Sequence, residues 1–186
     1  MTIVSLTGAS GVGKSTLEHG LVEYFAGGLV LRTTTREPRF PNEPGHEFIS
    51  VPDMETLVLR KICVLPPIVV HGNWYAAKER AFFNALKETG GRFAIICVTP
   101  ERHRVIRDFF SPLGVKTLAI HLLSPPEAEL RRRLEERNWS SEELNFRIQD
   151  SKRFDAWARE ESNMHFFRPG TKENILKCSI ALIETT

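Results

Sequence analysis

The first fifteen residues constrain the fold more than any other stretch of the chain. Thr2–Thr7 is short, β-branched and apolar, and beyond position 16 Leu17, Leu21, Tyr24 and Phe25 recur at helical spacing. Between strand and helix lies Gly8-Ala9-Ser10-Gly11-Val12-Gly13-Lys14-Ser15, which fits G-x-x-x-x-G-K-[ST] at every fixed position. Such a loop works as an anion cradle: glycines let successive backbone N–H groups turn inward around a phosphate, and the helix that follows adds its positive N-terminal end. The pattern implies that Gly8, Ala9, Ser10, Gly11, Val12, Gly13, Lys14, Ser15 and Thr16 bind ATP or GTP. In that role Lys14 reaches the β- and γ-phosphates and the Ser15 hydroxyl ligates Mg²⁺.

The rest of the chain alternates in the same manner. Leu29–Thr33, Phe93–Val98, Thr117–Leu123 and Met164–Phe167 read as further strands, the third and fourth of these five nearly continuous apolar runs of the kind that parallel strands show when both faces are covered. Helix starts are marked at Thr99-Pro100, at Ser124-Pro125-Pro126-Glu127 and at Ser140 with Glu143. The expectation is an α/β fold with a parallel five-stranded sheet flanked by helices, binding its ligand beyond the carboxyl ends of the strands, where the loop after Thr7 lies. Two stretches break the alternation. Residues 33–75 hold Pro38, Pro41, Pro44, Pro52, Pro66 and Pro67 with short strand-like pieces at Glu47–Val51 and Ile68–Val70, and read as a small inserted lobe. Residues 131–153 are arginine-dense and are interrupted by the polar Asn138-Trp139-Ser140-Ser141, and read as a mobile flap.

Composition narrows the function classes. The chain has 186 residues, one domain's worth, and 25 Lys plus Arg against 23 Asp plus Glu leave a net charge of +2, too small an excess for a protein that coats nucleic acid. No apolar run approaches the 20 or so residues needed to cross a bilayer, and the start of the chain lacks the basic region and cleavage site of a secretory signal, so a cytoplasmic protein without membrane contact is expected. Cys63, Cys97 and Cys178 are too far apart for a CxxC pair and read as isolated thiols. His121, inside an apolar strand, reads as a hydrogen-bonded core histidine.

Three further motifs resemble guanylate kinases. Thr33-Thr34-Thr35-Arg36-Glu37-Pro38-Arg39, then Gly45-His46-Glu47-Phe48, then Gly72-Asn73-Trp74-Tyr75, is similar in order and spacing to that family's T-T-R-x-x-R, G-x-[DE]-Y and G-N-x-Y. Arg133-Leu134-Glu135-Glu136-Arg137 and the later Arg147 likewise look like the family's R-L-x-x-R and its second arginine. The resemblance implies a P-loop kinase with core 1–32, 76–130 and 154–186, an acceptor-binding lobe 33–75 and a lid 131–153. It implies ATP and Mg²⁺ as donor and cofactor, a small phosphorylated acceptor of nucleoside monophosphate type, Arg36, Arg39 and Tyr75 on the acceptor phosphate, and Lys14, Arg137 and Arg147 in catalysis. A monophosphate oxygen is already a competent nucleophile, so no general base is expected.

The chain also departs from the family pattern where guanine and the metal are held. Phe48 replaces a tyrosine, the purine-contacting glutamate falls near Pro66, the serine after G-N-x-Y-G falls on Ala77, and the L-D-x-D strand end becomes Ile96-Cys97-Val98-Thr99. Thr99 or Glu101 are the available substitutes near the metal, and Arg168-Pro169-Gly170-Thr171 is a candidate loop for the donor's adenine. Three functions fit these residues: a nucleoside monophosphate kinase with altered base preference, a kinase of another phosphorylated metabolite such as a ribose bisphosphate, or a non-catalytic module that reuses the acceptor lobe to bind an acidic peptide. The complete phosphate loop argues against the last, because a module that transfers no phosphate does not need Lys14.

Overall fold

A computed structural model describes residues 1–186 except His71, Arg137, Asn138 and Ser162. In chain order its elements are β1 (Thr2–Thr7), α1 (Lys14–Phe25), β2 (Arg32–Thr34), β3 (His46–Phe48), α2 (Val51–Arg60), β4 (Cys63–Val70), β5 (Asn73–Lys78) and α3 (Glu79–Glu88). These are followed by β6 (Phe93–Cys97), α4 (Pro100–Phe110), β7 (Lys116–Leu122), α5 (Glu127–Glu135), α6 (Ser141–Glu160), β8 (Met164–Phe167) and α7 (Lys172–Glu184).

β1 is buried along its whole length because it sits inside an all-parallel sheet of order β6-β1-β7-β8, with Thr2 opposite Phe93 on one side and Lys116 on the other. Its side chains alternate between two apolar layers, as the pleat requires. Val4 and Leu6 pack with Leu17, Leu21 and Phe25 of α1 and with Leu130 and Leu134 of α5. Ile3 faces the opposite layer, where Phe82 and Leu86 of α3 meet Ile106 and Phe110 of α4. Each of these fully buried side chains contributes about 1.5–3 kcal/mol relative to exposure. Among the described residues no helix is long and apolar enough to cross a membrane.

The expected five-stranded sheet has four strands. The segment read as one strand, Leu29–Thr33, divides: Leu29 makes a single parallel bridge to Ile95, with Val30 N–H donating to Ile95 O at 2.9 Å, and the chain then leaves. Arg32–Thr34 continues as β2 in a second, mixed sheet of order β3-β2-β5-β4. β-branched residues favour extended backbone without choosing a neighbour, and here Arg32 is drawn away by Gly45 O and Glu18. In the second sheet β4 is an edge strand that carries Pro66 and Pro67 within the register shift between Leu65 and Ile68, the position where a missing N–H breaks no ladder.

Helix starts follow two rules. Ser140 caps α6 by accepting from Glu143 N–H at 3.2 Å, as its spacing implies. Ser124 does not cap α5; that helix begins after Pro126, and Ser124 N–H instead donates to Asp155 Oδ2 at 3.1 Å. α2 has no counterpart among the expected helices although Ser50 and Pro52 mark its start, with the Ser50 hydroxyl accepting from Asp53 N–H.

Thr7, which leads into the phosphate loop, is held from below. The other oxygen of Asp155, on α6, lies 3.0 Å from His121 Nε2, which fixes the proton on that nitrogen. Nδ1 then accepts from the Thr7 hydroxyl at 2.8 Å, and His121 is wholly buried. Asp155→Ala strips the acceptor from His121 and from the Ser124 N–H at once. Urea unfolding of this variant should show a loss of about 2–4 kcal/mol, and unchanged stability would mean that the histidine has another partner.

Candidate active site

The phosphate loop joins β1 to α1 with Gly8, Gly11 and Gly13 at φ of 135°, 83° and 107°. At Gly8 no other residue fits, since a Cβ would lie 2.6 Å from Leu122 O, and at Gly11 it would press on Leu130 and Leu134. The loop is thus moulded against β7 and α5. Lys14 opens α1, and its ammonium folds back on its own loop, donating to Gly8 O at 2.8 Å and Ala9 O at 2.6 Å. Ser15 and Thr16 are exposed and line, with Gly11, Gly13 and Lys14, a cavity of about 180 Å³.

Two arginines reach the loop from the arginine-dense segment. Arg147 on α6 stacks 3.5 Å above the Trp139 ring and donates from Nη1 to Ser10 Oγ at 3.1 Å. Arg133 on α5 is paired with Glu129 and lies 3.4 Å from Gly11 O. Arg131 and Arg132 turn to solvent-facing partners, Asn145, Glu129 and Glu136, as neighbouring helical residues must diverge. Arg137 lies outside the described residues.

Arg36 and Arg39 flank the same space from the second sheet, and a carboxylate that the motifs do not mark holds them. Glu43 is buried and accepts both Arg36 guanidinium nitrogens, at 3.0 and 2.7 Å, together with the Arg39 N–H at 2.8 Å. Despite the cost of burial, these partners hold its carboxyl down at about 2. His46 lies 3.8 Å from Glu43 and is itself pushed down to about 4, first by burial and then by Arg32 and Arg36. The Arg39 side chain is 55% exposed, with Nη1 3.9 Å from Glu43 Oε1, and so faces the opening with only a long ion pair behind it. Tyr75, half-buried on β5, lines both this cavity and a larger one of about 240 Å³.

A second unmarked carboxylate closes the back wall. Glu18 of α1 accepts from Cys97 N–H at 3.1 Å and from Arg32 Nη2 at 2.9 Å, and burial beside it pushes the Cys97 thiol far up. A charged residue between Leu17 and Leu21 on the buried side of α1 was the available signal for it.

The two cavities share Ser10, Lys14, Arg32, Arg39, His46 and Tyr75, so phosphate loop and arginine pocket open into one cleft. Mg²⁺ fits this donor set only as an ion carried by a nucleotide. Among the described residues no three His, Cys, Asp or Glu could hold a metal, whereas the exposed Ser15 hydroxyl at the mouth of the anion cradle suits an ion that keeps phosphate oxygens and waters as its other ligands. Thr99, the other candidate near the metal, has a buried hydroxyl with no hydrogen-bond partner. The loop at Arg168–Thr171 leaves the carboxyl end of β8, and Thr171 caps α7.

No family model matches the chain. Curated guanylate kinases do. The one from Ruegeria pomeroyi is 33% identical over 145 residues, covering 76% of this chain and 66% of the relative. That of a second Ruegeria strain is 32% identical over 153 residues, covering 80% and 68%, and that of Trichormus variabilis 32% over 149 residues, covering 76% and 69%. The chain thus spans about two thirds of the length of these relatives. Among solved structures, a guanylate kinase from Anaplasma phagocytophilum superposes with a TM-score of 0.68 over 99% of this chain and 85% of that one. A gluconokinase from Sinorhizobium meliloti gives 0.50. Both are 14% identical and speak to fold alone.

Glu43 gives the arginine pocket a signature in solution. Its carboxyl titrates near 4.5 in the unfolded chain and near 2 in the fold, so its stabilisation is complete above pH 4.5 and is lost as pH falls toward 2. The stability gap between the wild type and Glu43→Gln, read from thermal melts, should therefore be largest above pH 4.5 and shrink steadily below it. A gap independent of pH would remove Glu43 from the pocket.

Proposed function

Since the chain belongs to the guanylate kinase family, we propose that it transfers the γ-phosphoryl group of ATP to the phosphate of a nucleoside monophosphate, yielding ADP and a nucleoside diphosphate. The observation that carries this reading is the single cleft that has the amide-lined loop on one wall and Arg36, Arg39 and Tyr75 on the other.

The donor's β- and γ-phosphates occupy the loop from Gly8 to Thr16, whose N–H groups and helix end supply positive potential. Lys14 exchanges its two carbonyl acceptors for phosphate oxygens, which bind an ammonium more strongly than neutral carbonyls do. The Ser15 hydroxyl, together with phosphate oxygens, would hold Mg²⁺, which would supply charge neutralisation on the donor. Arg39 and Arg36 grip the acceptor phosphate, and the grip requires Glu43 to share or yield Arg36. An acceptor oxygen then attacks the γ-phosphorus as the bond to the β-bridging oxygen breaks, with no proton to remove first. Arg147, already touching Ser10, and Arg137, assigned by motif alone, neutralise the transferring group.

Discrimination for guanine is weak in this reading. Guanine presents N1–H and a 2-amino group, which need acceptors, and the positions that supply them in the family carry Pro66 and Ala77 here.

Coupled assay with ATP, Mg²⁺ and a panel of nucleoside monophosphates tests the proposal. Transfer to at least one acceptor is expected, and Lys14→Ala should lower it at least about 100-fold without changing the melting temperature. Wild-type rates in that variant, or no transfer to any acceptor, would overturn it.

A further inference from the structure

The larger cavity holds one cation for which the proposed transfer has no use. Arg102, in the first turn of α4, lines it together with Leu65, Ile68, Val70, Val98 and Thr99, none of which borders the smaller cavity at the phosphate loop. One of its nitrogens, Nη2, donates to Pro66 O at 2.7 Å, which aims the guanidinium along the β4 edge. Among the described residues Arg102 makes no ion pair, and no Asp or Glu lines the cavity. Burial accordingly pulls its pKa down to about 10, with Glu101 and Cys63 offsetting only part of that. Beside it the Thr99 hydroxyl is buried with no partner and does not cap α4, whose N-terminal end points the same positive way.

A guanidinium has five N–H donors and no acceptor. With one nitrogen on Pro66 O and no counter-charge lining the cavity, the remaining donors of Arg102 gain acceptors inside it only when a ligand brings them. The N1–H and 2-amino edge of guanine would leave these donors unpaired and face them with like polarity, and only the opposite O6/N7 edge would pair them. The positions where the family resemblance places acidic and hydroxyl contacts to the base carry Pro66 and Ala77, and the cation has entered beside the first of them, on Pro66 O. The polarity of this part of the pocket is reversed.

We propose that Arg102, with Thr99, selects the far end of the acceptor: a phosphate ester whose other end carries oxygen acceptors, supplied either by pyrimidine carbonyls or by a second phosphate. This rests on the phosphoryl-transfer reading for the placement of the acceptor phosphate at Arg36 and Arg39, and it adds the chemical class of what is attached to that phosphate.

Titration calorimetry of the wild type with GMP, UMP and fructose 1,6-bisphosphate tests it without requiring turnover. UMP or the bisphosphate should bind at least about tenfold tighter than GMP, and which of them does so distinguishes carbonyl from phosphate. Arg102→Met should cost that ligand about 10- to 100-fold while changing GMP and ATP binding by less than about twofold, a selectivity that a purely structural role for the bond to Pro66 would not produce. Should Arg102→Met fail to fold, Arg102→Lys keeps the charge but not the fork, and a partial loss of the same preference is expected. Tightest binding of GMP, failure of all three probes to bind, or equal weakening of every acceptor by the substitution would overturn the inference. Arg102-dependent binding with no phosphoryl transfer would instead sink the kinase reading and leave this one standing. Efficient transfer to GMP alone would do the reverse.

Discussion

The carboxylate of Glu18 ties together two sheets that the chain order alone would leave independent. One oxygen accepts from the backbone at the end of β6, in the parallel sheet, and the other from Arg32 at the start of β2, in the mixed sheet. The residue itself is on α1, one turn after Lys14. Phosphate loop, strand end and arginine pocket are therefore indexed to one another through a single buried side chain. Breaking such a pair by removing one partner costs about 3–5 kcal/mol, because the other charge is left desolvated. The pair also answers the loss of the family's strand-end aspartates: an acid still reaches the end of β6, but it arrives from the helix and is spent on structure.

The same economy of charge runs through the cleft. Arg32 is balanced by Glu18 and Arg36 by Glu43, each through a short, partly buried pair. Arg39 extends into the opening with Glu43 a distant 3.9 Å away, Lys14 rests on loop carbonyls, and among the described residues Arg102 bonds a carbonyl oxygen alone. The cations that are pinned by acids shape the wall, and those held by neutral oxygens or water are the ones that gain most from an anionic ligand. In the proposed reading such a cleft takes phosphates by exchange, its side chains trading a carbonyl for a phosphate oxygen.

Much of this arrangement was legible in the sequence where local pattern and tertiary environment coincide. β1, β6 and β7 announce themselves as apolar runs with β-branched residues and β8 more faintly through Met164, Phe166 and Phe167, the phosphate loop by glycines that the geometry requires, and α6 by the Ser140 cap. His121 reads as a core histidine and is one, bonded to Thr7 and Asp155. α2 escapes notice although its Ser50 cap is local, but the other failures depend on a partner elsewhere in the chain. Leu29–Thr33 looks like one strand, but Arg32 is claimed by Glu18 and Gly45, so the sheet loses its fifth strand. Ser124 looks like a cap, but Asp155 takes its N–H. Glu18, Glu43 and Arg102 carry no motif at all, since a buried charge is visible only once its counterpart has been placed beside it.

The central claim is that donor and acceptor phosphates share one cleft at a distance that a phosphoryl group can cross. A two-headed nucleotide, with adenosine and a second nucleoside joined through a continuous polyphosphate chain, measures this directly by calorimetry. Simultaneous occupation of both walls predicts binding about 10²–10⁴ times tighter than either half alone, with Arg39→Ala and Lys14→Ala each removing most of the gain. Affinity no greater than that of ATP would place the two sites apart and contradict the account.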